Sequence, residues 1–107
     1  MDAFAQRMTL LRARFNERAL VDEAELEAAM MAGDFGAATR ILHSLAGNAG
    51  MFGYPALSKA ARDLEQAIES RGPDADIPRL LREVVDQIPG RERAASDNAG
   101  VTMEGLR

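Results

Sequence analysis

The sequence predicts an all-α protein, an antiparallel up-down four-helix bundle, and three observations predict it. Apolar residues recur at alternating spacings of three and four through four separate segments, which is the period of one helix face. Alanine, leucine, glutamate and arginine dominate, while aromatic residues make up only 5% of the chain and β-branched residues are scarce, a helix-favouring composition. The breaks between segments carry glycine or proline and are short, so consecutive helices must run antiparallel and pack as neighbours.

The first helix is predicted from about Ala3 to Ala32. Phe4, Met8, Leu11 and Phe15 open its apolar stripe, and Ala19, Leu26 and Met30 continue it. At 1.5 Å per residue such a helix is about 45 Å long. The stripe is weakest between Asn16 and Asp22, so a kink or two shorter helices is the alternative there. Gly33 suits the left-handed cap position and Asp34 the next N-cap. The second helix is predicted over Phe35 to Met51, with Phe35, Ala38, Leu42, Leu45 and Ala49 buried. After Phe52-Gly53-Tyr54, Pro55 fits the first turn of a third helix, where its missing N–H is not needed. That helix buries Leu57, Ala60, Ala61, Leu64 and Ile68 and stops near Ser70-Arg71-Gly72-Pro73. A fourth begins at Asp76 or Ile77, buries Ile77, Leu81, Val84, Val85 and Ile88, and ends at Pro89-Gly90. Residues 1–90 are therefore read as one bundle. The polar, aperiodic residues 91–107 are read as a mobile C-terminal tail, with a short docking helix as the alternative.

Composition narrows the function. A chain of 107 residues with net charge −4 lacks the basic face that neutralises nucleic-acid phosphates. No apolar run approaches the roughly 20 residues needed to cross a bilayer. The N-terminus lacks the basic-then-apolar order of a secretory signal, so a cytoplasmic protein with no membrane association is expected. With no cysteine and a single histidine, neither a thiolate nor a multi-histidine metal site can form, and no metal site is expected. A Ser-His-Asp triad is disfavoured because no G-x-S-x-G pattern occurs.

The single histidine is placed informatively. With each residue advancing about 100° around the axis, the buried stripe of the second helix centres at about 310° from Phe35, and His43 falls at about 80°. His43 is thus expected on the solvent side. Its face is shared with Gly36, Thr39, Arg40, Ala46, Gly47 and Gly50, all small except Arg40. Glycine inside a helix costs about 1 kcal/mol relative to alanine, so Gly47 and Gly50 are a concession in an alanine-rich chain. A bare strip beside an exposed imidazole suits the close approach of another protein. In-line phosphoryl transfer demands that approach, because the group must pass between donor and acceptor unobstructed. The simpler alternatives are a surface histidine without a role, and a Gly50 that only admits a neighbouring helix.

The run His43-Ser44-Leu45-Ala46-Gly47-Asn48-Ala49-Gly50-Met51-Phe52-Gly53-Tyr54 resembles the histidine-containing phosphotransfer (HPt) domain. The family pattern is a histidine, then leucine or isoleucine two residues on, lysine at three, glycine at four and glycine at ten. His43, Leu45, Gly47 and Gly53 match it. The pairs Ala49-Gly50 and Phe52-Gly53 are similar to the form found in chemotaxis histidine kinases, and the resemblance spans about residues 4 to 89. It implies a four-helix bundle without an ATP site, whose histidine accepts a phosphoryl group from a histidine kinase or exchanges it with a response-regulator receiver domain. No cofactor of its own is implied, and the receiver brings the Mg²⁺. The chemotaxis-type domains carry a glutamate on the third helix that accepts a hydrogen bond from the histidine Nδ1–H. The matching residue is Glu65, for which a merely solvated position is the alternative. Gly47, Arg40, Gly50, Ala46 and Ser44 are expected to border the docked partner. The usual lysine is replaced by Ala46, so Arg40, Lys59 or Arg62 would have to supply positive charge. The chain begins with Met1 and carries no kinase or receiver region, so a separate, monomeric shuttle is expected, with a piece of a larger kinase as the alternative. A helical adaptor that binds a receiver or kinase without carrying phosphate is the competing reading.

Overall fold

The structure is a computed structural model of the chain, and it describes residues 2–70 and 76–90. Four helices follow one another: α1 (Ala3–Ala32), α2 (Phe35–Met51), α3 (Pro55–Ser70) and α4 (Ile77–Gln87). Each packs mainly on its neighbours in sequence, α1 on α2, α2 on α3 and α3 on α4. The boundaries follow local chemistry. The carboxylates of Asp2, Asp34 and Asp76 accept from the N–H groups of Ala5, Ala37 and Arg79, which satisfies amides that the first turn leaves without partners. Gly33 closes α1 at φ 72°, in the left-handed region that a side chain disfavours. Gly53 turns the chain at φ 86° and lets the Tyr54 N–H reach back to the Ala49 carbonyl at 2.8 Å.

The core is leucine and alanine. Leu26, Leu42, Leu45, Leu57, Leu64 and Val84 are fully buried, as are Ala19, Ala38, Ala49 and Ala61. At one end Phe15 of α1 packs against Phe52 and Tyr54, with ring centroids 5.6 and 5.4 Å away. The Tyr54 hydroxyl donates to Asn16 Oδ1 at 3.1 Å, so the α2–α3 turn is tied to α1 by both an apolar and a polar contact.

α1 is one unbroken helix. The segment whose stripe looked weakest holds because Asp22 and Glu23 are themselves buried, and Arg18 Nε donates to Asp22 Oδ1 at 3.0 Å one turn away. Burial pushes the Asp22 carboxyl above its usual range, and the Arg18 guanidinium opposes that shift only in part.

Four residues of the expected apolar stripes lie outside the core. Phe4 is 74% exposed, because α1 is 30 residues long against 17 for α2 and its first turns run past the end of the neighbours that would cover them. Met8 and Leu11 are half-buried for the same reason. Phe35 is 46% exposed, since it opens α2 and has no further layer above it. The expected tail, residues 91–107, lies outside the described residues, as does the loop 71–75. Among the described residues no helix is long and apolar enough to cross a membrane.

The distinction between spanning and projecting parts of the apolar stripes is measurable. Leu42→Ala should lower unfolding free energy by about 2–4 kcal/mol in denaturant titration. Phe4→Ala should change it by less than about 0.5 kcal/mol. A large loss at Phe4 would mean that α1 is covered along its whole length.

Candidate functional site

The site is built on the seam between α2 and α3. His43 stands near the middle of α2 with its side chain 82% exposed. The helical angle explains this, since the ring lies well away from the line of Ala38, Leu42, Leu45 and Ala49 that α2 turns inwards. Opposite it, α3 presents Glu65, whose side chain is 18% exposed. His43 Nδ1 lies 3.3 Å from Glu65 Oε2. That is an ion-pair contact, slightly longer than a hydrogen bond. Because Nδ1 faces the carboxylate, Nε2 is the ring nitrogen left towards solvent.

The register that creates this pairing is held two turns back along α3. Ser58, buried on α3, donates from its hydroxyl to the Ala46 carbonyl at 2.9 Å. A Cβ added to Gly50 would meet Ser58 Oγ at 3.5 Å, an ordinary contact. The step along α2 from Gly50 back to His43 equals the step along α3 from Ser58 forward to Glu65. The two antiparallel helices therefore stay in phase, and each α2 residue of this face has a fixed α3 counterpart. Sequence reasoning missed Ser58. The available signal was a hydroxyl flanked by Leu57, Ala60 and Ala61, in a helix otherwise buried through apolar side chains.

Gly47, one turn beyond His43, is exposed, and nothing lies within 4 Å of where its Cβ would stand. No internal packing requires glycine there. Gly50 is likewise exposed, and a methyl group would fit against Ser58.

The expected docking residues divide. Ala46 is 3% exposed and belongs to the core, which corrects its placement on the open face. It lies about 70° from the centre of the buried stripe, against about 130° for His43, and α3 packs on that flank. Ser44 is exposed, about 100° around the axis from His43 on the side away from α3. Arg40 is exposed, but its Nη1 lies 3.7 Å from the Cβ position of Gly36, so the guanidinium points back along α2, away from His43. Such a backward tilt is the normal direction for a helical side chain. Lys59 Nζ is bound to Asp63 Oδ2 at 2.7 Å, and that carboxylate raises the ammonium's pKa. Arg62 is exposed, and among the described residues no hydrogen bond or ion pair engages it.

Among the described residues no group of three or more histidine, aspartate or glutamate side chains could hold a metal ion. The arrangement offers an exposed imidazole with a half-buried carboxylate beside its Nδ1 and bare backbone one turn on, at Gly47. Chemically that is an oriented nitrogen nucleophile open to a large electrophilic partner.

The model of one protein family, described as the Hpt domain, matches residues 10–91. No curated protein and no solved structure gives a significant match.

If Gly47 is free of internal packing, Gly47→Ala should raise unfolding free energy by about 0.5–1 kcal/mol, read by thermal or denaturant melting. A destabilised variant would show instead that the residue is needed by the fold.

Proposed function

The chain belongs to the Hpt domain family, whose members are phosphocarriers of phosphorelays rather than kinases, and from that membership we propose that His43 is its phosphoacceptor. The single observation that carries this reading is the contact of the one histidine, 82% exposed, with Glu65 at 3.3 Å. An uncommitted surface imidazole would need no partly buried carboxylate at that distance.

The Nε2 lone pair attacks phosphorus, the bond from phosphorus to the donor oxygen breaks, and the donor departs as a carboxylate when it is a receiver aspartate. The Nδ1 proton stays on the ring, where Glu65 offsets the positive charge that develops as the N–P bond forms. In the reverse direction the receiver's carboxylate attacks the same phosphorus and the imidazole leaves. A receiver partner contributes its own Mg²⁺ to neutralise the phosphoryl oxygens, and a histidine kinase is the alternative source of the group. Gly47, Gly50 and Ser44 border the docked partner, and Arg40 lies at the margin of that contact. The pairs Ala49-Gly50 and Phe52-Gly53, together with the Glu65 contact, favour the chemotaxis-kinase type within the family.

Incubation with a phosphorylated receiver or an active kinase should place acid-labile, alkali-stable label on the protein and none on His43→Gln. Equal labelling of that variant, or a wild type that no cognate donor labels, would leave a helical adaptor as the better description. Gly47→Gln should keep the helical spectrum while transfer falls by about 100-fold, the scale expected when reacting atoms are held about 1 Å out of place. Normal transfer would remove the open strip from the mechanism. Glu65→Ala should slow transfer about tenfold without abolishing it, the lower end of what an orienting carboxylate contributes, and an unaltered rate would take Glu65 out of the site.

A further inference from the structure

We infer that Arg62 is the cation that meets the phosphoryl group on His43, an inference that rests on the phosphotransfer reading above. The site as described has a charge problem. A protein-bound phosphoryl group carries close to two negative charges, and on His43 it would stand within about one imidazole width of the Glu65 carboxylate. Some positive group has to offset that repulsion, and α2 supplies none, because Ala46 is a buried methyl and the Arg40 guanidinium lies over Gly36.

Arg62 is the cation that the helix register delivers. It lies one turn after Ser58 and one turn before Glu65, on the same face of α3. Ser58 touches Ala46 and Gly50, and Glu65 touches His43, so Arg62 lies level with Ala46 and Gly47 on α2. Across from it the seam is open, with nothing within 4 Å of the Gly47 Cβ position to obstruct a long side chain. Its guanidinium is uncommitted among the described residues, whereas Lys59, the neighbouring cation on α3, is held by Asp63. A guanidinium presents a planar fork of donors that matches two phosphoryl oxygens at once. The usual tilt of a helical side chain would carry Arg62 towards Ser58, so to reach His43 the long side chain turns along the open seam beside Gly47.

The full chain can be phosphorylated without any partner by potassium phosphoramidate. Nε2 of His43 forms the N–P bond, the P–N bond of the donor breaks, its nitrogen leaves as ammonia, and the Nδ1 proton stays on the ring facing Glu65. Arg62→Gln should slow this labelling about threefold, the size expected of one exposed charge pair. Arg62→Lys should recover most of the rate, while Lys59→Gln should match wild type. Independently of any variant, the Arg62 side-chain N–H resonances of the wild type should shift on phosphorylation, a signature that a merely structural arginine would not give. Unmoved Arg62 resonances with an unchanged Arg62→Gln rate, or a loss confined to Lys59→Gln, overturn the assignment and leave the shuttle intact. If phosphoramidate and cognate donors alike leave His43 unlabelled, the phosphotransfer reading fails and this inference goes with it.

Discussion

The packing of α3 against α2 is the constraint on which the rest of this protein depends. The two helices meet at small residues, with Ala46 and Gly50 on one side and Ser58 on the other, and the Ser58 hydroxyl is anchored on the Ala46 carbonyl at 2.9 Å. Small side chains let the backbones come close, and close backbones admit few registers. The hydrogen bond selects among them, because a shift of α3 by one residue would turn Ser58 off the seam and leave a buried hydroxyl without its partner, at a cost of about 1–3 kcal/mol. With that register fixed, Glu65 cannot be elsewhere than beside His43.

The same arrangement separates two demands that usually conflict. The core needs α2 to be apolar and tightly covered, while the proposed chemistry needs an imidazole that a second protein can reach. One helix meets both by dividing its circumference. Leu42 and Leu45, which flank His43 in sequence, are fully buried, while His43 itself is 82% exposed. Rigidity follows from the buried side and access from the other, so the ring is held on a stiff element rather than on a loop. Precise placement is what an in-line transfer rewards.

Charge is distributed with the same economy. Glu65 is the partly buried acid at the site, and its neighbours on α3 show why its surroundings are not simply acidic. Asp63 is bound to Lys59, and Arg62 stays unpaired among the described residues. Elsewhere, Asp22 is buried in α1 with its carboxyl raised above the usual range by desolvation. That group contributes most when protonated, and its contribution is lost as pH rises through its folded-state value. The acid inside α1 therefore weakens the fold slightly at neutral pH, while Glu65, at the edge of the seam, stays within reach of solvent.

Sequence alone determined the helices, their limits and the side of α2 on which His43 lies, because each follows from local chemistry. Caps at Asp2, Asp34 and Asp76, turns at Gly33 and Gly53, and a 3.6-residue period act within a few residues of chain. What local periodicity could not supply was where one helix runs out of neighbours, so Phe4 and Phe35 looked like core and are exposed. Nor could it tell which flank of α2 its neighbour covers, so Ala46 was placed on the open face and is buried under α3. The contact between His43 and Glu65 was foreseen only through family resemblance; periodicity puts each on a helix face but says nothing of the register between helices. That register, and with it the position of Arg62 beside Gly47, is a property of two segments packed together, fixed by shape and one buried hydrogen bond rather than by either helix by itself.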